Sequence, residues 1–315
     1  MGEQLPQKPQ LKPPKPGLCC ISQAIVANYG SFKSLRLSTV KGANGVVRLT
    51  EVIRTNMVLL GKHINYCGMM GWNLRIGSSL FPCVTHPEVS IDPLRGLGIT
   101  EDEWDKYVRT PIRSNPDVRL SMHPDQFNVL GSDRETVRIN TVNELNFASR
   151  FLDHIGARGG YESPLTLHMN CPASDERVEI LKRSLERLDP GARGRLCFEN
   201  EDKGGWNVQT LYTKLSRPLG IPLVFDNLHH SCNPGDMSES DAFWVCRNSW
   251  GLTRPLFHFS DRDPAGTNKR AHAEIPTSIP WVYGPTEHPV DIDIEFKGKD
   301  RAIRVYEALQ KEPAA

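Results

Sequence analysis

Histidine and carboxylate side chains recur in this sequence at the points where short apolar runs end. The clearest example is the run from Ile221 to Phe225, which leads directly into Asp226 and is followed by His229 and His230. A carboxylate and an imidazole three residues apart, where a buried strand meets its loop, can bind one small cation. A capping aspartate beside two surface histidines explains this single stretch equally well. The metal interpretation therefore depends on whether other strands end in the same way.

Most of the other strand-like runs do end in the same way. Runs that are apolar at consecutive positions are typical of strands buried on both faces, and six of them end in a histidine or a carboxylate. In chain order these end residues are His123, His168, Glu199, Asp226, His258 and Glu295. Capping favours Ser, Thr, Asn, Asp and Gly, so it does not explain three histidines and two glutamates in this set. Three further histidines follow strands in their loops, namely His86, His229 and His272.

Strand and helix patterns alternate along the whole chain and must position these side chains. Amphipathic helix patterns follow the strands, with only the seventh helix poorly defined. Eight successive strand and helix units in one chain predict an α/β fold, a (β/α)8 TIM-type barrel, with an open doubly wound sheet as the alternative. The carboxyl ends of all strands would then form one rim around a common axis. The predicted strands are 17–22, 72–77, 118–123, 165–169, 195–199, 223–226, 256–259 and 290–295.

Composition indicates an ordinary globular protein, with 38% hydrophobic and 24% charged residues. Residues 1–16 contain five prolines and three lysines without apolar periodicity, so we expect a disordered leader before a single domain at 17–315. The net charge of +1 means that any nucleic-acid binding must depend on local clusters. No apolar run approaches the roughly 18 residues of a membrane span, and no secretory pattern opens the chain. We therefore expect a cytoplasmic protein without a membrane partner.

The mixture of imidazole and carboxylate groups indicates which ions the rim would bind. It suits Zn²⁺ or Mn²⁺ better than Mg²⁺, which prefers oxygen and water, or Ca²⁺, which takes oxygen only. Nine candidate ligands exceed the needs of one ion, so we expect two or three divalent ions with Glu199 and Asp226 bridging them. Such a cluster can lower the pKa of a bound water toward about 7 and hold the oxygens of an in-line phosphoryl displacement. Metal-activated water would then be the nucleophile.

Short motifs around these residues resemble those of the UV damage endonuclease family. The resemblance extends in order from about residue 17 to about residue 300. It implies a TIM-type barrel with a manganese cluster, in an enzyme that nicks double-stranded DNA immediately 5′ of UV photoproducts and some other distorting lesions. The motifs include Ser121-Met122-His123-Pro124-x-Gln126-Phe127, Phe198-Glu199-Asn200-x-Asp202, Phe225-Asp226-x-x-His229-His230, Ala271-His272-Ala273 and Glu295-x-Lys297-Gly298-Lys299.

The resemblance also implies residue roles. Gln126 and Phe127 match a Gln-Tyr pair that enters the duplex opposite the lesion, although a loop aromatic that packs back on the rim is the alternative. We expect Glu199, Asp226 and Glu295 to be catalytic as well as metal ligands, and the enzyme to be a monomer that associates with the nucleoid if it is bacterial. In the family, metal ligands occupy the positions of His86, His123, His168, Glu199, Asp226, His229, His258, His272 and Glu295.

The sequence departs from the family pattern at three places. Many members have a modified lysine near the metals where this chain has Leu256. Phe127 lacks the hydroxyl of the usual tyrosine but keeps the ring surface. Asn170-Cys171-Pro172 replaces the usual glycine after the fourth strand. Since every ligand position is filled, the change at Leu256 bears on metal tuning and rate more than on the class of reaction.

Two other functions are compatible with the pattern. A sugar isomerase or epimerase of the xylose-isomerase-like barrels also collects His, Glu and Asp at strand ends, but it needs fewer ligands and no exposed Gln126-Phe127 loop. A lesion-binding protein with lost catalysis is the other, motivated by Leu256.

If the rim faces DNA, five basic residues near it are expected to contact phosphates, namely Arg262, Lys269, Arg270, Lys297 and Lys299.

Overall fold

Residues 12–89, 91–286 and 289–311 are described by the computed structural model of the chain. Eight parallel strands form one sheet in the order β6-β5-β4-β3-β2-β1-β8-β7. The two outer strands, β6 and β7, meet through a bridge between Asp226 and His258, and the amide of His258 donates to the carbonyl of Phe225 at 2.9 Å. The sheet is therefore a nearly closed barrel. The predicted (β/α)8 fold is confirmed, and the open doubly wound sheet is excluded.

The strands are short, and β4 to β7 are apolar at most positions because both faces are buried. Four strands end earlier than predicted. The first ends at Cys19 instead of residue 22, and the other three leave His168, Asp226 and Glu295 one or two residues beyond their strands. Asp226 starts a helix, which explains why β6 stops before it. The bounds are β1 Lys15–Cys19, β2 Asn73–Gly77, β3 Leu120–His123, β4 Leu165–Leu167, β5 Leu196–Glu199, β6 Leu223–Val224, β7 Leu256–Phe259 and β8 Asp291–Ile294.

Helices follow the strands and cover the outside of the barrel. The Thr100 hydroxyl accepts from the Glu103 amide while the Glu103 carboxylate accepts from the Thr100 amide, so a capping box starts the helix after Thr100. The α-helices are α1 Gln23–Tyr29, α2 Leu37–Val40, α3 Gly45–Met70, α4 Glu101–Trp104, α5 Thr110–Ser114, α6 Glu135–His154, α7 Asp175–Leu185, α8 Pro190–Arg193, α9 Val208–Leu211, α10 Arg217–Leu219, α11 Asn227–Cys232, α12 Glu239–Asn248 and α13 Asp300–Leu309.

The seventh unit is irregular, as its sequence indicated. Between β7 and β8, the described residues contain a single 3-10 turn at Trp281–Tyr283 and no α-helix. Proline and glycine in this segment oppose helix formation. Several short helices were not predicted, including α1, α2, α8 and α11. A side chain caps the amino end of two of them, Ser22 for α1 and Asp226 for α11.

The amino-terminal boundary of the barrel differs from the prediction. Residues 1–11 of the predicted leader lie outside the described residues. Lys15 and Pro16, which we assigned to the leader, belong to β1, because they pair with Asp291 and Ile292 of β8. In the described ranges, no helix is both long and apolar enough to cross a membrane. All eight cysteines are free thiols.

Candidate metal centre

Glu199, the last residue of β5, lies at the centre of the rim. Its side chain is 1% exposed, and ring nitrogens of four histidines surround its two carboxylate oxygens. Oε2 lies 3.0 Å from Nε2 of His123 and 3.6 Å from Nε2 of His168. Oε1 lies 3.0 Å from Nδ1 of His258 and 3.2 Å from Nδ1 of His229. One buried carboxylate therefore connects residues from five different parts of the chain.

Two groups of ligand atoms around Glu199 have the spacing of metal sites. His123, His168 and Glu199 form one group, and Glu199, Asp226 and His258 form the other, with the ligand atoms of each group within 4.8 Å of one another. Glu199 belongs to both groups. The two groups therefore share one carboxylate, and each has three ligand atoms close enough to hold a metal ion.

Several of these ligand atoms are buried without a hydrogen-bond partner among the described residues. They are Oε1 of Glu199, Oδ2 of Asp226 and both ring nitrogens of His258. Although Nδ1 of His258 lies 3.0 Å from Glu199, this pair does not have hydrogen-bond geometry. Buried polar atoms without partners are unfavourable, and a bound cation would satisfy the two carboxylate oxygens and one of the two nitrogens of His258. The residues present therefore fit divalent metal ions with mixed imidazole and carboxylate ligands.

Backbone carbonyls orient three of the histidines. In each, Nδ1 lies against a carbonyl oxygen, so that Nδ1–H donates and Nε2 is left as the ligand atom. This second contact is typical of histidines that bind metals, because it sets the tautomer and the ring orientation. The pairs are His123 with Pro124 at 3.0 Å, His229 with Asn200 at 2.9 Å, and His272 with Glu295.

Asp226 is held rigidly at the start of α11. Its Oδ1 accepts from the amide of His229 at 2.7 Å as the helix cap, which leaves Oδ2 for the site. The Asn200 side chain contacts the Asp226 backbone twice, donating to its carbonyl at 3.0 Å and accepting from its amide at 2.8 Å. His230, next in the chain, is buried and packs against Phe225 with ring centroids 5.5 Å apart. It is a core residue rather than a ligand.

Burial and neighbouring charges shift the pKa values of the histidines in opposite directions. Burial alone would lower the pKa of His258, but the adjacent Glu199 and Glu295 carboxylates raise it to about 9. Burial dominates at His168 and lowers its pKa to about 4. In the absence of ions His258 therefore holds a proton near neutral pH, whereas His168 is neutral and ready to bind a cation.

The carboxylates respond to the same two effects. Burial would raise the pKa of Glu199, but the charges of His258 and His168 lower it well below its ordinary value. Burial raises the pKa of Asp226. Burial would lower the pKa of His229, but Asp226 and Glu199 raise it well above its ordinary value. Since protons and metal ions compete for the same atoms, metal binding here releases protons.

Glu295 joins the cluster through His258, and it brings two residues that the sequence reasoning missed. Its Oε1 lies 3.2 Å from Nδ1 of His258 and forms an ion pair with Arg75 of β2. Asp293, two residues earlier in β8, lies 3.9 Å from Nε2 of His258. A charged residue between Leu74 and Ile76 requires a buried partner, and acids at alternate positions of β8 point to one face of the strand. These two patterns could have revealed Arg75 and Asp293.

His86, Gln126 and Phe127 lie apart from the ring around Glu199. They line a surface groove of about 1010 Å³, which we call the loop groove, between the loops after β2, β3 and β4. Nδ1 of His86 accepts from the amide of Glu88 at 3.2 Å, and His86 is in neither group of ligand atoms. Phe127 is 76% exposed, so its ring does not pack back on the rim in this structure. The role of His86 as a ligand stays a prediction.

The loop that presents Gln126 and Phe127 is braced from both sides. Oδ1 of Asp125 accepts from the Phe127 amide at 2.9 Å, and the Asn170 side chain donates to the Gln126 carbonyl at 3.1 Å. Asn170 has a φ of 43°, in the left-handed region that asparagine tolerates better than most residues. Asn170 can therefore stand where the family usually has glycine.

The basic residues near the rim fall into two classes. Arg262, Lys269 and Arg270 line a cleft of about 370 Å³ with Lys203 and Asp202. In this cleft Arg270 lies 3.5 Å from Asp202. Outside it, Lys297 forms an ion pair with Asp263 at 2.8 Å. Arg262 and Lys269 are consequently the better candidates for phosphate contacts.

Comparison with known proteins gives matches over nearly the whole chain. A family model described as UV-endonuclease UvdE matches residues 14–312. The UV DNA damage endonuclease of Bacillus cereus (strain B4264) is 25% identical over 299 residues, covering 92% of this chain and 89% of that protein. The UV-damage endonuclease of Schizosaccharomyces pombe is 26% identical over 301 residues, covering 89% of this chain. The match covers 48% of that relative, so the chain spans about half its length.

A solved structure shares the fold. The crystal structure of SacUVDE superposes on this chain with a TM-score of 0.77 at 26% sequence identity. The match covers 95% of this chain and 100% of SacUVDE. The similarity therefore includes the strands and the rim on which the candidate ligands lie.

Proposed function

As a member of the UV-endonuclease UvdE family, the chain is a DNA repair endonuclease, and we propose that it hydrolyses the phosphodiester immediately 5′ of UV photoproducts and other distorting lesions in double-stranded DNA. The observation that supports this most strongly is the buried Glu199 with four histidines around its carboxylate, including ligand atoms that lack partners in the described part of the chain. A sugar isomerase or epimerase is disfavoured by the family match.

The proposed cofactors are two or three divalent ions, Mn²⁺ in the first place and Zn²⁺ in the second. Glu199 would be shared between ions, with His123 and His168 on one side and Asp226 and His258 on the other. When bound, such ions lower the pKa of a water molecule and stabilise the charge of an in-line displacement at phosphorus. The protein contributes rigidity, since helix capping fixes Asp226 and buried contacts fix Glu199.

Recognition of damage is proposed to occur in the loop groove. Phe127 is a large exposed ring on a braced loop, and Gln126 beside it has a planar amide. Flat groups of this kind can occupy the space left when damaged bases leave the stack, and a base that is already unstacked costs less to extrude. Because this loop directly follows His123 at the end of β3, recognition and cutting would occur on adjacent parts of the rim.

The proposal is tested by a nicking assay on a UV-irradiated, end-labelled duplex with added Mn²⁺. Cleavage with a product that ends immediately 5′ of the lesion is the expected result. Lesion-selective binding without cleavage would favour a binding protein with lost catalysis. If the protein neither cleaves the damaged duplex nor binds it selectively, the proposal is contradicted. Undamaged duplex of the same sequence is the control for lesion dependence.

A further inference from the structure

Arg75 lies inside the barrel beside the candidate metal centre. Its side chain is 12% exposed and forms an ion pair with Oε1 of Glu295. The same guanidinium lies 4.0 Å from Oδ2 of Asp293, whose side chain is 1% exposed. A buried arginine is favourable only when carboxylates or other acceptors compensate its charge, so these two acids explain why it can be buried.

The same two carboxylates also face His258. Nδ1 of His258 lies 3.2 Å from Oε1 of Glu295, and Nε2 lies 3.9 Å from Oδ2 of Asp293. Arg75, Glu295, His258 and Asp293 thus form a closed ring in which basic and acidic side chains alternate. We call this set the charge ring. One edge of the ring, His258 with Glu295, belongs to the candidate metal centre.

Strand register produces the charge ring. His258 of β7 is aligned with Asp293 of β8, and Gly17 of β1 is aligned with Asp293 on the other side. A Cβ atom at Gly17 would lie 2.4 Å from Oδ1 of Asp293, so the absence of a side chain there makes room for the carboxylate. This space lets Arg75 reach across β1 from β2 to Asp293 of β8 and to Glu295, which directly follows β8.

We infer that Arg75 is a positioning residue that orients Glu295 and His258 toward the metal ions through the charge ring. This rests on the proposed function, because it assigns a role toward the ions that the function requires. Arg75 holds Oε1 of Glu295 and leaves Oε2 to the site. Asp293 lies on the Nε2 side of His258, which leaves Nδ1 facing Glu199. Without Arg75, two buried carboxylates would share His258 alone, and both ligands would lose their fixed orientation.

The test compares Mn²⁺ binding to wild type and to Arg75→Met by titration with detection of free Mn²⁺ by electron paramagnetic resonance. Outer-shell partners of metal ligands typically contribute 10- to 100-fold to affinity, so we expect the dissociation constant of Arg75→Met to rise by about 10-fold or more. Lysine keeps the positive charge of arginine but not its planar guanidinium, so the dissociation constant of Arg75→Lys for Mn²⁺ should lie between those of wild type and Arg75→Met. It also serves in place of Arg75→Met if that variant does not fold.

A matched control separates positioning from general destabilisation. Arg119 is also buried, with its side chain 3% exposed and a 3.0 Å ion pair to Asp291, but it lies at the opposite end of the barrel. Arg119→Met should leave Mn²⁺ affinity within about 3-fold of wild type. In a double-mutant cycle, Arg75→Met should add little to the effect of Glu295→Gln, because the removed arginine acts through that carboxylate.

Unchanged or tighter Mn²⁺ binding by Arg75→Met would overturn the inference, since loss of a repelling cation would then outweigh loss of orientation. An equal loss in Arg119→Met would also overturn it. Either result would leave the proposed function in place, which depends on nicking by the wild-type protein. Failure of wild type to bind Mn²⁺ or to nick damaged DNA would instead remove the proposed function.

Discussion

Replacement of Glu199 by glutamine is expected to damage the metal centre more than any other single conservative change. The Glu199 side chain is 1% exposed, and ring nitrogens of four histidines lie between 3.0 and 3.6 Å from its oxygens. Glutamine keeps the shape but exchanges one oxygen for an amide nitrogen and removes the negative charge. Outer-shell changes alone cost about 10- to 100-fold, so loss of a shared ligand should reduce nicking by at least about 100-fold.

The same change should leave the protein folded. Removal of one member of a buried ion pair costs about 3–5 kcal/mol when its partner stays charged. Here Glu295 remains 3.2 Å from His258, so we expect a loss near the lower limit, about 3 kcal/mol in the metal-free protein. Burial would raise the pKa of Glu199, but His258 and His168 lower it. Its stabilising contribution is therefore fully present at neutral pH and disappears as the pH falls through its folded pKa.

The assay measures nicking of UV-irradiated duplex, bound Mn²⁺ per chain and thermal unfolding for wild type and Glu199→Gln. Asp291→Asn is the matched control, because Asp291 is also a buried carboxylate but pairs with Arg119 at the far end of the barrel. The control should lose stability without losing Mn²⁺. Wild-type nicking and Mn²⁺ content in Glu199→Gln would refute the argument that this carboxylate is shared between ions.

Three further predictions address other parts of the site. Phe127→Ala should reduce the preference for damaged over intact duplex while leaving Mn²⁺ per chain unchanged, because Phe127 is 76% exposed and its ring supplies no ligand. Equal loss of binding to both DNAs in a competition assay would contradict this role. Arg262→Ala combined with Lys269→Ala should reduce the slope of log DNA affinity against log salt concentration by about 2. Lys182→Ala on α7 is the control, and an unchanged slope in the double variant would exclude phosphate contacts by these two residues. Burial alone would lower the pKa of His258, but Glu199 and Glu295 raise it to about 9. The protonated His258 therefore stabilises the fold fully below its unfolded pKa of about 6.5, and this contribution disappears as the pH rises through about 9. Urea denaturation of the metal-free protein should accordingly give a free energy of unfolding that falls by about 3 kcal/mol between these two pH values. Mn²⁺ binding should strengthen over the same pH range, and a rise in the stability of the metal-free protein would contradict the raised pKa of His258.

The barrel could be predicted because its strands have a strong local pattern. Leu256 to Phe259 is apolar at three of four positions and forms β7 as predicted. The residues near Glu199 could be predicted for the same reason, since parallel strands place their carboxyl ends on one rim. Asp226 and His258 illustrate this best, because the bridge between them closes the barrel and also joins two candidate ligands.

The charge ring could not be assigned with the same reasoning. Arg75 lies within its strand rather than at the end, and its partners are Asp293 of β8 and Glu295 just after β8, more than two hundred residues away in the sequence. Contacts of this kind depend on register and on the space above Gly17, which no local pattern specifies. The position of His86 could not be predicted for a different reason. His86 lies in a long loop, and the course of such a loop depends on packing rather than on sequence periodicity.

The most direct test of the central claim is an anomalous difference map from crystals soaked in Mn²⁺, recorded at the manganese edge. We predict at least two peaks on the rim, one beside His123 and His168 and one beside Asp226 and His258, with Glu199 between them. A map without peaks within ligand distance of Glu199, or with manganese only elsewhere on the protein, would contradict the claim that these side chains form a metal centre.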